Sequence, residues 1–312
     1  MQQRIEWIDM TKGLVMILTV YMHSWLNGVP ILGDWVNAFF MPLFFFISGV
    51  LLNPDKYSVL TFLKRRWFTL YRPYIIFSTI LILLCAIVMG GGNTFFCNTL
   101  LSGWGGYALW FIPVLALAEL GYFLIRKITG NKAIIVLFLV GCACLGFVSY
   151  IFKWHNPYNW YLAFTAIGFY GIGNLLKQKL IKIDGSALLL AVCVSFIISL
   201  TCFLNPERPQ WFINNLATPW SYPAALGGTL FVCLFCKFSE GYVPKIVIST
   251  LCYVGRNTFV ILAFHQVTMQ LLTKTGLLPN GLSVRISMWI IMIILIEIIN
   301  RFAPQILGHS KP

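Results

Sequence analysis

The sequence predicts an all-α, polytopic integral membrane protein of about ten transmembrane helices, with both termini cytoplasmic. Three observations predict it. Of 312 residues, 59% are hydrophobic and 10% are charged, against about 25% charged in an average soluble domain. The apolar residues fall in runs near the ~20 residues that cross a bilayer. The cations then sort to one side of those runs, as membrane orientation requires. Mean hydropathy is +0.83. A cytosolic enzyme, a secreted domain and a disordered scaffold are all excluded, because none covers so much apolar surface with so few charges.

The expected spans, in order, are 12–28, 35–53, 73–90, 107–125, 133–152, 160–176, 186–204, 220–237, 254–273 and 283–302. Pro30 and Gly33 separate the first two, and Asp34 is placed to cap the second. Pro73 suits the first turn of the third span, and Gly90-Gly91-Gly92-Asn93 ends it. Pro279-Asn280-Gly281 divides the last two. With these boundaries and inner termini, 18 of the 22 Lys and Arg fall in inner segments. The other four are Lys153, Arg208, Lys274 and Arg285. The net charge of +13 therefore points to membrane orientation and anionic lipid, not to nucleic acid. Most of the nine cysteines sit inside apolar runs, where a thiol acts as a small hydrophobe. Cys233 and Cys236 have no second pair to complete a metal site, so no metal is expected. The start, MQQRIEWIDMTKG, has acidic residues where a signal peptide is basic. Residues 1–312 read as one transmembrane unit without a fused soluble domain.

Topology of this kind serves a transporter, a channel, a flippase or an intramembrane enzyme. Ionisable residues in or near the spans discriminate, because they are costly in lipid. They are Asp9, Lys12, His23, Glu119, Arg256, His265 and Glu297. Lys12 and His23 are eleven residues apart, about three turns and ~16 Å on one helix face. Asp9 pairs with Lys12 at i, i+3. Such a helix holds a cation at the water edge and an imidazole in the membrane interior. The imidazole is either a general base or a hydrogen-bond partner for a neighbouring helix. Lys64, Arg65, Arg66 and Arg72, with Lys56 upstream, form a basic stretch. It suits a polyphosphate, and it equally suits orientation and anionic lipid. The Phe44–Phe46 run suits a lipid-facing surface, and Pro42, Ser48 and Gly49 on the same span equally suit a kinked, closely packed helix with room for a narrow substrate. Gly255-Arg256-Asn257-Thr258 leads to a second deep imidazole, His265, which points to a shared polar cavity. The outer segments 91–106, 153–160 and 205–219 are rich in aromatic residues. Sugar stacking and interfacial aromatic belts both account for that.

Taken together, these residues resemble the membrane acyltransferase 3 family, and its fucose 4-O-acetylase-like branch in particular. The resemblance rests on Arg4-x-x-Trp7-Ile8-Asp9-x-x-Lys12-Gly13 and on Lys12-x10-His23, which fits the family's basic-x10-His pattern. Phe44-Phe45-Phe46-Ile47-Ser48-Gly49, the Arg65–Tyr74 stretch, Leu109-Trp110-Phe111-Ile112, and Gly255 through His265 resemble its later elements. Thr69 stands where the family often has the second Arg of an Arg-x-x-Arg pair. The resemblance implies transfer of an acyl group, most often acetyl, from acyl-CoA to a sugar hydroxyl of a cell-surface glycan or its lipid-linked precursor. It places the protein in the bacterial cytoplasmic membrane. His23 would be the general base, with Asp9 and Lys12 positioning the helix end or the donor. Arg65, Arg66, Arg72 and Lys64 would hold the CoA phosphates. Ser48, Trp110, Asn257 and His265 would line the substrate site. Two other readings stand beside it: a transporter or flippase for a lipid-linked sugar, and a non-catalytic scaffold for polysaccharide assembly.

Overall fold

In hydrocarbon, every backbone N–H and C=O must find its partner within its own segment, so apolar runs become helices. The computed structural model describes residues 5–23, 30–89, 107–152, 161–204, 220–274, 276 and 281–308. Every regular element among them is helical. The outer segments 91–106, 153–160 and 205–219, and with them Lys153 and Arg208, lie outside the described residues. So does Pro279-Asn280.

The helices are α1 (Glu6–His23), α2 (Pro30–Asn37), α3 (Phe40–Leu51), α4 (Val59–Arg66) and α5 (Arg72–Met89). They continue as α6 (Phe111–Ile128), α7 (Lys132–Ile151), α8 (Tyr161–Lys182), α9 (Gly185–Phe203) and α10 (Ser221–Ser239). The last are α11 (Lys245–Arg256), α12 (Thr258–Lys274) and α13 (Gly281–Phe302). Six units are long and apolar enough to cross a membrane: Val59–Cys85, Tyr107–Ile128, Lys132–Ser149, Gly185–Phe203, Ser221–Ser239 and Gly281–Phe302. The bent pair α11–α12 makes a seventh if it is one span. The remaining expected spans differ in kind. α1 carries Glu6, Asp9 and Lys12, α3 has 12 residues, and α8 ends in three lysines. α1 and α8 are interior helices, with much of their length buried against neighbours. α7, α9 and α13 form the periphery, where Leu137 is 72% and Leu190 65% exposed. An apolar surface of that extent faces lipid.

Three local expectations are corrected. Pro30 opens α2, and Asp34 lies inside that helix, not at a cap. A break at Ala38–Phe39 separates α2 from α3, so 35–53 is not one helix. Pro73 does not start a span, because the helix runs through from Val59. Proline lacks an N–H and its ring crowds the carbonyl four residues back. The chain widens just before it into a π turn, Trp67–Tyr71, in which the Arg72 amide donates to the Trp67 carbonyl.

Interior helices approach closely where glycines remove the side chain. A Cβ at Gly49 would lie 1.8 Å from the Tyr170 carbonyl oxygen, and one at Gly173 would lie 2.1 Å from that of Phe46. α3 and α8 therefore touch backbone to backbone. α1 and α11 do the same: a Cβ at Gly13 would lie 2.0 Å from the Leu251 oxygen, and one at Gly255 1.9 Å from the Asp9 oxygen. Small residues at such crossings let van der Waals packing hold helices together in lipid, where no hydrophobic force does.

The expected single helix 254–273 is instead α11 and α12, bent by 80° at Asn257. The Asn257 side chain donates to the Tyr253 carbonyl and accepts from Asn300 on α13. A side-chain amide that competes for backbone groups in this way ends a helix. The contacts Asp9–Arg256 and Asn257–Asn300 place the start of α1 and the end of α13 at the same end of the bundle.

Candidate active site

The α1–α11 crossing and the bend at Asn257 send α12 along α1, and this brings two imidazoles together. His265, eight residues into α12, is fully buried. His23, the last residue of α1, is half-buried. Their ring centroids are 5.1 Å apart with the planes at 52°. His265 Nε2 lies 3.2 Å from His23 Nδ1, and His265 Nδ1 lies 2.7 Å from the Ile261 carbonyl oxygen.

The polarity of this chain follows from its last member. A carbonyl only accepts, so His265 Nδ1 carries the proton. In a neutral ring Nε2 is then the acceptor, and His23 Nδ1–H donates to it. His23 Nε2 is left with a free electron pair directed away from His265. If that nitrogen takes up a proton, His265 Nε2 remains an acceptor and stabilises the imidazolium. This is the arrangement of a base and its orienting partner.

The other end of α1 carries the charged groups. Lys12 Nζ lies 2.7 Å from Asp9 Oδ1, as the i, i+3 spacing predicts. Arg256 Nε lies 3.2 Å from Asp9 Oδ2. A nearly buried carboxylate thus sits between two cations. It lies 14 residues from His23, about 21 Å along the helix.

The basic stretch does not form one cluster. Successive residues on α4 turn by about 100°, so Lys64, Arg65 and Arg66 fan outward. Arg66 faces inward and grips Glu119 with two nitrogens, Nε to Oε2 at 2.7 Å and Nη2 to Oε1 at 2.8 Å. Tyr170 adds a hydroxyl at 3.4 Å from Oε1. Arg66 is therefore engaged by a buried carboxylate and is not free for a phosphate. Arg72 donates to the Gln305 carbonyl and stacks on Phe68 at 5.1 Å, which holds the turn Pro304–Leu307 against the π turn. Arg65 donates to the Tyr57 hydroxyl and stacks over its ring at 5.1 Å, and Lys56 lies 5.7 Å from the same ring. Lys64 is exposed. The exposed cations are thus Lys56, Lys64 and Arg65, with Tyr57 between two of them.

The remaining expected site residues divide. Ser48 donates to the Phe44 carbonyl of its own helix at 2.8 Å, so its hydroxyl has a structural partner and no adjacent base. Asn257 is the hinge, about 12 Å along α12 from His265, and is not part of the imidazole pair. Trp110 is half-buried and meets Phe111 edge-on. Its segment reaches α12 through Tyr107, whose hydroxyl donates to Gln270 Oε1 at 2.5 Å. Glu119 had no role in the sequence reading beyond being ionisable. A carboxyl inside an apolar run signals a buried partner, and Arg66 is that partner. The exposed Glu297 is different in kind, accepting from the Tyr253 hydroxyl at 2.6 Å.

The family described as Acyltransferase domain matches residues 5–299. No curated protein and no solved structure matches the chain. The matched residues include the imidazole pair, the Asp9 ion pairs and the Arg66–Glu119 pair; the chain belongs to the acyltransferase 3 family, and the protein is a membrane acyltransferase.

Proposed function

We propose that the protein is an O-acetyltransferase that moves acetyl from acetyl-CoA to a hydroxyl of a cell-surface glycan or its lipid-linked precursor. It works in the bacterial cytoplasmic membrane, crosses it about ten times with both termini inside, and belongs to the fucose 4-O-acetylase-like branch. The observation that carries the reading is the fixed polarity of His23–His265–Ile261, which leaves His23 Nε2 free as a base inside an acyltransferase domain.

The acceptor hydroxyl lies at His23 Nε2, and the donor thioester enters from the basic end. The acceptor oxygen attacks the thioester carbonyl carbon as its proton passes to His23 Nε2. The C–O bond forms, the C–S bond breaks, and the proton on His23 leaves with the CoA thiolate. His265 orients His23 and stabilises the positive charge during the step. At the basic end, Lys56, Lys64 and Arg65 are the exposed cations for the donor phosphates, and the Tyr57 ring is an adjacent stacking surface. Asp9, Lys12 and Arg256 lock α1 against α11 and so set the position of His23. The sorting of 18 of 22 cations to the inner segments supports termini inside.

The test measures CoA release from acetyl-CoA by membranes containing the protein, with total cell-surface glycan as acceptor. His23→Ala lowers the rate by about 10²–10⁴-fold, the usual contribution of a positioned base, at unchanged protein level. Wild-type turnover in His23→Ala removes the base. Movement of a lipid-linked sugar across proteoliposomes without acetyl-CoA favours the flippase instead.

A further inference from the structure

The end of the bundle that holds His23 also holds a cation that no described carboxylate pairs with. Arg285 sits in the second turn of α13. Its guanidinium lies over the ring of Tyr21 on α1, 5.5 Å from the centroid. Its Nε and Nη2 are buried and have no hydrogen-bond partner among the described residues. None of the ion pairs among the described residues includes it. A buried guanidinium is ordinarily paired, because the protein interior replaces none of the water it loses.

The two orphaned nitrogens are not an arbitrary pair. In arginine, Nε–H and Nη2–H point the same way, in parallel, from one edge of the plane. That edge matches two oxygens of a phosphate or a carboxylate. Tyr21 covers the face of the guanidinium, and the Nε–Nη2 edge has no protein partner among the described residues. Leu282 and Ile286 flank Arg285 on α13 and are 59% and 53% exposed, so the helix there faces lipid. Arg285 thus lies near a helix end, at the depth where phosphate meets acyl chain. Tyr21, on which it stacks, precedes His23 by two residues, about 3 Å along α1.

We propose that Arg285 binds the phosphate of a lipid-linked saccharide acceptor, gripping two of its oxygens with Nε–H and Nη2–H, and so holds the sugar beside His23. The phosphate is recognised apart from the sugar, and the lipid chain lies along the exposed face of α13. The assignment of the phosphate to an acceptor rests on the acetyltransferase reading.

The experiment measures thermal unfolding of the purified protein in a phosphate-free maltoside detergent. The probes are a prenyl-phosphoryl hexose, the matching prenyl hexoside without phosphate, and phosphatidylglycerol. The phosphoryl compound raises the melting temperature of the wild type. Arg285→Gln loses that shift, with an apparent affinity about tenfold weaker or more. Arg285→Lys, which keeps the charge but not the fork, retains part of it. Each variant's melting temperature without ligand shows that it folds. An equal shift in wild type and Arg285→Gln, or an equal shift with the phosphate-free hexoside, overturns the proposal. So does an Arg285-dependent shift of the same size from phosphatidylglycerol, which assigns the site to bilayer headgroups. The readout needs no turnover. Failure of the His23 experiment therefore overturns the enzyme reading while the melting shift still reports on Arg285.

Discussion

Replacing Gly255 with alanine tests the crossing that positions the imidazole pair. The new Cβ would lie 1.9 Å from the Asp9 carbonyl oxygen and 3.0 Å from the Gly13 nitrogen. Both neighbours are backbone, so no side chain can swing away. Ordinary contact begins near 3.5 Å, which requires α1 and α11 to part by roughly 1.5 Å. The Arg256–Asp9 pair, now at 3.2 Å, would then open beyond contact. Overpacking of this kind costs about 1–3 kcal/mol. The half-exposed Arg256 pair adds about 0–1 kcal/mol, and the helix preference of alanine offsets about 1 kcal/mol. With the overpacking cost near its upper end, because both neighbours are backbone, a net loss of about 2–3 kcal/mol lowers the melting temperature by roughly 4–12 °C. Gly141 on α7 is the control, because a Cβ there meets nothing within 4 Å. Gly141→Ala leaves the melting temperature unchanged or slightly raised. Thermal unfolding in detergent reads both. CoA release gives a second readout, since a displacement of ~1 Å at reacting groups costs ~10²-fold. A Gly255→Ala protein that melts with the wild type and keeps its turnover would refute the close crossing and its role in placing His23.

Two further outcomes follow from the charged groups. Glu119→Gln removes the carboxylate that Arg66 grips through two nitrogens, and destabilises by roughly 3 kcal/mol, the low end for a broken buried pair because Arg66 keeps some exposure. Thermal unfolding measures it, and Glu119→Leu with Arg66→Met restores most of the loss; an undisturbed Glu119→Gln melt contradicts the pairing. Lys56→Ala with Arg65→Ala raises the KM for acetyl-CoA by about tenfold with little change in kcat, as uniform donor binding requires. Added salt weakens the wild type in the same way, and an unchanged KM moves the donor site away from Tyr57.

Much of the helical architecture is legible in the sequence, because hydrocarbon leaves the backbone few choices. The 3.6-residue period also placed Lys12 beside Asp9 at one end of a helix and His23 at the other. What the period cannot report is partnership across the bundle. His23 and His265 are separated by 242 residues, and their contact depends on how α11 crosses α1. The run Lys64-Arg65-Arg66 reads as one basic unit, yet its members point in different directions and one of them is engaged by Glu119, 53 residues away. Pro73 carries an ambiguous signal, since the same residue opens a helix or widens one. The π turn before it shows which applies here.

The break at Asn257 is what makes the imidazole pair possible. α11 and α1 touch at Gly255 and Gly13, and two straight helices that cross at contact distance diverge on either side of the contact. An unbroken helix through 254–273 would therefore carry His265 away from α1. The 80° bend turns the chain at the crossing itself and lays α12 beside α1, so that His265 and His23, each ten positions beyond the contact, meet. Asn257 holds the bend from both sides, through the Tyr253 carbonyl on α11 and Asn300 on α13. Its contacts are thus those of a hinge, although it lies in the stretch that resembles the family. The same bend frees the Ile261 carbonyl from no helical duty, because a carbonyl has two lone pairs. One serves the helix, the other receives His265 Nδ1–H, and the tautomer of both rings follows from that bond.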